Sequence, residues 1–514
     1  MFRDAARLIR HFWSWCFLGC VMGILGGLIG AGFHHTLHFV THLRQENGWL
    51  ILLLPVGGGL TVWLYKLLKL QTNRGTNEII DAALDGRPIS PLIAPGIFLA
   101  SSFTHLFGGS AGREGAALQL GGSIASLLGK KMNLRPENLR IFIMSGMSAV
   151  FAGLFGTPLT ACLFTMEFES VGTLFSPALL PCFLAAYIAS LVSGGLGVHA
   201  EVFPLDRVLQ LQFGNFWKIL LLAIAISLLG IFMCHFFHKA EHLAKHHVKN
   251  PWLRICLGGV IIAGLTMLVG DQRFNGAGMD MALAAVDGRA DWYSFALKML
   301  FTAVTLAAGF KGGEIVPTFC IGATFGCVLG GLLGLDAGIC GALGLIGLFC
   351  CATNSPWASI VLSVEMFGAN NLHLFALMCV ICFVLSGKTG LYASQIIQFS
   401  KATAVGKSES FYRPPNRRAV LLWNQLHQLL PVAAFKFPMR AVANRRVQRF
   451  VCLRLAGGCD VGVHIQRSKA HGLCACDVRV PVVADHDAVF RIQTLLSQQR
   501  AQEAAVGLTA AVVG

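Results

Sequence analysis

The sequence predicts an all-α polytopic membrane protein, and three observations support this fold class. The 514 residues are 55% hydrophobic and only 13% charged, whereas soluble globular proteins carry about 25% charged residues. The mean hydropathy is positive, at +0.65. Several apolar runs reach the roughly 20 residues that a helix needs to cross a bilayer.

The first of these runs, residues 12–33, contains no charged side chain. It is too long for a removable signal peptide and lacks a small-residue cleavage site. Arg3, Arg7 and Arg10 precede it, so the positive-inside rule predicts a cytoplasmic N-terminus over residues 1–14. Further apolar runs follow near 49–64, 139–165, 174–198, 215–234, 256–270, 294–308, 317–350 and 372–386.

The 17 cysteines do not indicate a disulfide scaffold or a metal site. Thirteen lie in or beside apolar segments, where a free cysteine behaves as a small buried hydrophobe. The other four lack a zinc-binding spacing; they are Cys452, Cys459, Cys474 and Cys476. We therefore expect neither a metal nor another cofactor.

The positive charge is concentrated at the C-terminal end of the chain. Of the net charge of +15, residues 401–514 contribute +10. This change predicts a transmembrane domain over 15–400 and a basic C-terminal extension that is poorly ordered. An alternative is that the extension lies against anionic lipid. No nucleic-acid partner is expected.

The membrane domain contains an internal repeat. "GREGAALQLGG" (112–122) resembles "GGEIVPTFCIGA" (312–323), and "GTPLTACLFTMEF" (156–168) resembles "NSPWASIVLSVEMF" (354–367). The four stretches recur in the same order, which predicts two repeats of broken helices. Their approximate limits are 49–200 and 215–400. Internal repeats of broken helices are typical of transporters that bind their substrate near the bilayer midplane.

The glycine-rich loops indicate an anion site. Successive glycines let backbone N–H groups approach a ligand closely, and the first N–H groups of a helix have no partner within that helix. The helix dipole also favours negative charge at this end. The loop before "GAALQLGG" and the loop "GGEIVP" (312–317) therefore each predict a helix N-terminus that faces an anion. Glu114 is itself a tethered anion at this site, so its protonation can gate the site or carry a proton.

These motifs, together with "GLYASQ" (390–395), resemble the CLC family of chloride channels and anion/proton antiporters over residues 15–400. The resemblance implies a CLC-type inverted repeat of tilted and broken helices, and a homodimer with one pore per subunit. It also implies a multi-pass protein of the lipid bilayer, which we expect in the bacterial inner (plasma) membrane. A halide anion, fluoride or chloride, and the proton are the implied partners.

The resemblance also implies roles for individual residues. Glu114 corresponds to the gating and proton-coupling glutamate, and the Tyr392 hydroxyl is an implied anion ligand. The other implied anion-binding residues lie in three loops: Gly75, Thr76, Gly112, Arg113, Gly115, Glu314, Ile315 and Val316.

Several positions depart from ordinary chloride-transporting members. Ala116 replaces the usual proline after the gating loop, and Arg74 replaces the serine of the first loop. Glu314, together with Asn77, is similar to the fluoride-exporting branch of the family, although Val316 stands where that branch commonly has threonine. We therefore favour fluoride. The alternative is an ordinary voltage-gated-type chloride channel or a chloride/proton antiporter.

The inner proton glutamate of the family is absent at its usual position. That position is Phe168, and Glu167 lies one residue earlier. We interpret Glu167 as a structural carboxylate that accepts hydrogen bonds from loop N–H groups, because buried polar groups are normally hydrogen-bonded.

The sequence also allows two other interpretations. "GGSAG" (108–112) matches G-x-S-x-G and lies near His105, which suggests an intramembrane serine protease, but that short motif needs structural support. We expect no catalytic residue and no enzyme activity. The histidine-rich segment 235–247 is expected to be a solvated connector between the repeats, with a metal site as the alternative.

Overall fold

The computed structural model describes residues 2–203, 205, 207–210, 212–397 and 401, and three strands farther along the chain. The chain divides into two compact units, Met1–Pro415 and Asn416–Gly514. Each unit is described by itself.

The described part of the first unit is almost entirely helical. Its α-helices are α1 (Phe2–Glu46), α2 (Leu54–Leu67), α3 (Thr76–Asp85), α4 (Ile93–Leu106), α5 (Glu114–Lys131), α6 (Pro136–Phe155), α7 (Pro158–Glu167), α8 (Leu179–Gly195), α9 (Phe213–His247), α10 (Pro251–Val269), α11 (Met279–Val286), α12 (Ser294–Ala308), α13 (Ile315–Leu332), α14 (Ala337–Thr353), α15 (Pro356–Phe367) and α16 (Leu372–Leu385). Two 3₁₀ helices, Gly48–Leu53 and Ser176–Ala178, connect some of them. Strands β1 (Ser170–Val171) and β2 (Ile396–Ile397) form a short parallel pair.

The described helices form two sets of eight, α1–α8 and α9–α16. Each set begins with a long helix, α1 or α9. The fifth helix of each set, α5 or α13, has 18 residues. Equivalent neighbours pack together in both sets, since α5 packs on α6 and α13 packs on α14. In this grouping α1 begins the first set, whereas the repeat limits of 49–200 and 215–400 stay a prediction.

Seven helical segments within the described residues are long and apolar enough to cross a membrane, and five further apolar helices are shorter. Two of the runs read from the sequence are each divided into two helices. The run 139–165 breaks at Gly156, which has a φ of 69°. The run 317–350 breaks near Gly334, which has a φ of 66°. Hydropathy does not register these breaks, because a glycine with positive φ ends a helix without reducing the apolar character of the run.

Glycine pairs bring the central helices into close contact. A Cβ atom on Gly121 of α5 would overlap the carbonyl oxygen of Gly146 on α6. In the second set, a Cβ atom on Gly322 of α13 would overlap the carbonyl oxygen of Gly344 on α14. Small residues allow such close approach between membrane helices, so these glycines fix the position of α5 and α13.

The thirteen cysteines in or beside apolar segments are free thiols in the described structure, and they are buried or half-buried. The prediction that they pack as small hydrophobic residues is confirmed. Cys459 and Cys474 lie outside the described residues.

The described part of the second unit is a three-stranded antiparallel sheet of order β3–β4–β5. Its strands are β3 (Phe450–Arg454), β4 (Asp460–Arg467) and β5 (Cys476–Arg479). Apart from Lys401 and these strands, the predicted poorly ordered extension 401–514 lies outside the described residues. Its predicted disorder therefore stays a prediction.

Candidate functional site

Two glycine loops meet at the centre of the first unit. Gly112 N–H donates to the Gly313 carbonyl at 2.7 Å, and Gly313 N–H donates to the Gly112 carbonyl at 2.8 Å. Helix α5 begins two residues after Gly112, and α13 begins two residues after Gly313. A Cβ atom on either glycine would overlap Oε2 of Glu114. Glycine at both positions therefore allows the two helix N-termini to begin on either side of the same carboxylate.

The Glu114 carboxylate is fully buried at this point. The backbone N–H groups of Arg113, Glu114 itself and Val316 face it. Neither carboxylate oxygen has a partner of good hydrogen-bond geometry among the described residues. Because helix N-termini favour negative charge, this location suits an anion, and the Glu114 carboxylate occupies it.

A third helix N-terminus lies beside the first. Helix α3 begins at Thr76, and the preceding Gly75 has a φ of 64°. The Thr76 hydroxyl is 2.9 Å from the position that a Cβ atom on Gly115 would take. Next along α3, Asn77 Oδ1 accepts a hydrogen bond from the backbone N–H of Ser394 at 3.0 Å. The three loops that precede α3, α5 and α13 therefore meet at the start of α5.

Tyr392 and Glu314 are neighbours of the same site. The Tyr392 hydroxyl is buried and has no hydrogen-bond partner among the side chains and backbone described here. Its ring packs edge-on against Phe168 with 4.7 Å between ring centroids. Both Glu114 and Glu314 lie within electrostatic range of the Tyr392 hydroxyl. Glu314 is the N-cap residue of α13, so a second carboxyl group borders the helix ends.

The Arg113 side chain is engaged by other protein groups. Its guanidinium pairs with the Glu201 carboxylate, donates to Nδ1 of His34 at 3.2 Å and lies over the Phe155 ring. Arg113 therefore contributes its backbone to the loop, while its side chain is held by α1 and by the segment after α8.

A vestibule of about 340 Å³ leads to this region. Its lining includes Val316 from the start of α13. It also includes two carboxylates and three arginines, Arg44, Arg113 and Arg273. Two of these arginines are paired with carboxylates, Arg113 with Glu201 and Arg273 with Asp271 and Asp291. No sequence motif indicates this vestibule, because its walls come from segments that are distant in the chain.

A buried lysine that was not predicted from the sequence lies behind the glycine loops. Lys298 of α12 is fully buried. Its Nζ donates to the Ser110 hydroxyl at 3.0 Å and to the carbonyls of Phe274 and Gly276 at 3.1 and 2.7 Å. A lone lysine inside the apolar run 294–308 was a visible signal, because an intramembrane charge is costly.

Glu167 and Glu365 cap each other's helices. The Glu167 carboxylate accepts from the N–H groups of Trp357 and Ala358 at the start of α15, at 3.2 and 3.0 Å. The Glu365 carboxylate accepts from the N–H groups of Leu159 and Thr160 at the start of α7, at 2.9 and 2.8 Å. The structural interpretation of Glu167 is therefore supported by its contacts.

The geometry does not assemble the serine-protease arrangement. His105 Nδ1 bonds to the Ser101 carbonyl at 2.9 Å, whereas the Ser110 hydroxyl contacts Thr302 and Lys298, both at 3.0 Å. Both side chains are buried with other partners, so His105 does not activate Ser110.

The histidine-rich segment is not a connector between the repeats, because residues 235–247 are the last 13 residues of α9. The expectation that the segment is solvated agrees with the exposed side chains of its histidines. His235 bonds to the Ile231 carbonyl and His238 to the Leu391 carbonyl. Among the described side chains, no group of three or more His, Cys, Asp or Glu is arranged to hold a metal ion.

Comparison with known proteins gives concordant matches. The sequence model of a family described as voltage gated chloride channel matches residues 57–387. A chloride/fluoride channel protein of Pseudomonas syringae pv. tomato is 34% identical over 401 residues, which cover 77% of this chain and 89% of that protein. An H⁺/Cl⁻ exchange transporter of Vibrio vulnificus is 23% identical over 419 residues, covering 73% and 88% of the two chains.

Solved structures show the same similarity. The crystal structure of a CLC-type fluoride/proton antiporter superposes with a TM-score of 0.72 at 32% identity, covering 75% of this chain and 98% of that one. A slow cyanobacterial Cl⁻/H⁺ antiporter gives a TM-score of 0.62 at 21% identity, covering 72% and 94% of the chains. The second match supports the fold alone.

Proposed function

This chain belongs to the CLC family of voltage-gated chloride channels, and we propose that it moves small monovalent halide anions across a membrane in exchange with protons. Fluoride is the favoured anion. One observation carries the proposal: the Glu114 carboxylate is buried at the N-termini of α5 and α13 without a good hydrogen-bond partner among the described residues.

The position of Glu114 links anion movement to protonation. When ionised, its carboxylate occupies the place where the helix N–H groups favour negative charge. Protonation removes the charge, so the side chain leaves and a halide takes its place. Deprotonation returns the carboxylate and displaces the halide. Protonation of Glu114 and halide binding are therefore thermodynamically coupled at one location.

Glu314 and Asn77 support fluoride as the preferred halide. A carboxylate beside a bound anion is unfavourable, whereas a protonated Glu314 donates a hydrogen bond. Asn77 Oδ1 accepts from Ser394, so the NH₂ end of Asn77 is the end left to donate. Fluoride is the smallest halide and the strongest hydrogen-bond acceptor, and it gains most from such donors. The similar chloride/fluoride channel and fluoride/proton antiporter agree with this preference.

The orientation in the membrane and the oligomeric state are part of the same proposal. Arg3, Arg7 and Arg10 favour a cytoplasmic N-terminus in a multi-pass protein of the bacterial inner membrane. Helix α1 then brings its C-terminal end, which lines the vestibule, to the external face. We also infer a homodimer with one pore in each subunit. An ordinary chloride channel or chloride/proton antiporter is the second candidate, which the more distant H⁺/Cl⁻ exchanger favours.

The test is ion release from liposomes that contain the purified protein. Fluoride and chloride efflux are measured with ion-selective electrodes, and proton uptake with a pH-sensitive dye. We expect fluoride efflux to exceed chloride efflux. We expect Glu314→Ala to lower fluoride efflux by about tenfold and chloride efflux less, because a hydrogen bond to an ion contributes about 1.5–3 kcal/mol.

Glu241→Ala is the matched control for Glu314→Ala. Glu241 lies within electrostatic range of Glu314 but pairs with Lys245 on α9, so its removal changes both fluxes alike. A native protein that passes chloride and excludes fluoride would belong with the chloride-transporting members. If neither ion left the liposomes faster than without protein, the transport function itself would be wrong.

A further inference from the structure

Glu201, which the proposed mechanism does not use, lies next to the gating loop. It follows α8 in a segment without regular structure. Its carboxylate pairs with Arg113, the residue directly before Glu114. The two paired side chains are only 18% and 16% exposed. A carboxylate is therefore held in a largely buried position one residue away from the gating glutamate.

Glu201 borders two separate cavities. One is the vestibule of about 340 Å³. The other is a cavity of about 20 Å³ that also contains the Glu114 side chain and Thr157. Arg113 lines only the vestibule, whereas Glu201 lines both the vestibule and the small cavity. Glu201 thus stands between the large cavity and the gating glutamate.

The small cavity has the properties of a site for a single water molecule. A cavity needs at least about 10–15 Å³ to hold one water, and the water needs 2–4 polar partners. Three polar side chains border this cavity: Glu114, Glu201 and Thr157. Both Glu114 oxygens and the Thr157 hydroxyl are buried without a partner in the described part of the chain. Apolar side chains form the rest of the wall: Phe151, Phe155, Phe319, Leu362 and Met366.

We propose that Glu201 carries protons between the vestibule and Glu114 through this one-water cavity. The proposal rests on the proton exchange inferred above. Protonated Glu201 gives its proton to the water, and the water passes one of its own protons to the Glu114 carboxylate. One O–H bond breaks and one forms at each transfer, so one proton moves and the water is regenerated. The reverse sequence returns a proton from Glu114 to the vestibule.

The surrounding charges suit this role. Before and after the transfer, the Arg113 guanidinium lies beside the Glu201 carboxyl group and keeps it in place next to the small cavity. His34 of α1 contacts the same guanidinium. Since a guanidinium only donates hydrogen bonds, His34 Nδ1 is the acceptor and this histidine is neutral. The other titratable or charged side chains on the vestibule side are His38, His42, Arg44, His105, Arg273 and Asp280.

A purely structural role for Glu201, as an anchor for Arg113, is the competing explanation. The two roles differ in what they require of the side chain. An anchor needs only an acceptor oxygen, which glutamine retains, whereas proton transfer needs a carboxyl group that titrates. An anchor also does not depend on the hydroxyl of Thr157, which contacts neither Arg113 nor Glu201 by a hydrogen bond in the described structure.

The experiment compares sided proton flux in liposomes that contain the full chain. A pH step on the vestibule side drives proton uptake, which is followed with a dye together with fluoride efflux. We expect Glu201→Gln to slow proton uptake by about 10- to 100-fold, in keeping with the loss of a positioned proton-transfer group. Glu201→Asp, which keeps the carboxyl group, restores most of the rate. Thr157→Val slows uptake several-fold while the Arg113–Glu201 pair stays intact.

Asp280→Asn is the matched control, because Asp280 lines the vestibule but not the small cavity. We expect it to leave the rate of proton uptake unchanged. Proton uptake within about twofold of the native rate in both Glu201→Gln and Thr157→Val would overturn the relay, and so would an equal loss in Glu201→Asp and Glu201→Gln. Thr157→Val alone decides the matter if Glu201→Gln is not recovered as folded protein. A native protein without any fluoride or proton flux would instead refute the proposed function, and the relay with it.

Discussion

At the scale of single residues, the two glycine loops hold acids at positions that are not equivalent. Gly112 pairs with Gly313, so Arg113 and Glu314 follow in corresponding places, and Glu114 corresponds to Ile315. Glu114 is the first residue of α5, and its carboxylate lies at the helix ends, whereas Glu314 precedes α13. In the proposed mechanism, the same pair of loops therefore provides one acid that competes with the anion and one that donates to it when protonated.

Replacement of Glu114 by glutamine tests the competing acid. Glutamine has nearly the same shape but neither charge nor a titrating proton. We expect fluoride efflux to become insensitive to an imposed proton gradient or to stop, and proton uptake to fall by about 100-fold. The measurement is simultaneous fluoride and proton flux in liposomes. Glu137→Gln, at an exposed acid in the first turn of α6, is the control, and unchanged coupling in Glu114→Gln would refute the gating role.

At the scale of elements, α7 and α15 are tied by carboxylates at each other's N-termini. Glu167 is 1% exposed, whereas Glu365 is only half-buried. A buried N–H group that loses its partner costs about 1–3 kcal/mol. We therefore expect Glu167→Ala to lower the melting temperature of the detergent-solubilised protein more than Glu365→Ala does. Proton coupling should persist in Glu167→Gln, and its loss without any loss of stability would instead make Glu167 a proton carrier.

Helix packing predicts a second outcome at this scale. Gly121→Leu places a side chain where the α6 backbone lies, and Gly322→Leu does the same between α13 and α14. Overpacking of a tight contact costs about 1–3 kcal/mol or more, so both variants should show lower melting temperatures and reduced fluoride flux. Gly32→Leu is the control, because no atom lies within 4 Å of the position of its Cβ. Equal stability of all three variants would show that the glycine contacts do not position α5 and α13.

At the scale of the whole molecule, the basic extension is expected to be dispensable for transport. The first unit contains both sets of helices and ends at Pro415. Deletion of residues 405–514 keeps Lys401, whose Nζ donates to Asn354 and to Ser386. We expect folding and fluoride flux to survive this deletion, because membrane-protein stability resides in helix packing.

A longer deletion, of residues 396–514, is the comparison. It removes β2, which pairs with β1, and Lys401 with its two contacts. Lower expression is expected for this variant alone, as judged by size-exclusion chromatography of the solubilised protein. Loss of both folding and flux in the 405–514 deletion would show that the extension is part of the transport fold.

The sequence by itself determined the fold class and the family, and it predicts the repeat and the gating role of Glu114. Apolar runs of bilayer length are a property of composition, and the glycine loops with Glu114 are contiguous in the chain. The family implied by those motifs is confirmed by the matches to known CLC proteins. The sequence also indicated that Glu167 is structural, because the energetic cost of an unpaired buried carboxylate is independent of the fold.

Only the tertiary structure decided which distant residues meet. Glu201, from beyond α8, pairs with Arg113 and borders the same small cavity as Glu114. Lys298 binds a loop some twenty residues earlier in the chain, and the vestibule is built from several separate segments. The helix breaks in the runs 139–165 and 317–350 depend on glycine conformations that hydropathy does not register, and the histidines of 235–247 were misplaced because α9 extends beyond its apolar run. Contacts of this kind depend on packing between helices, which no local pattern of residues encodes.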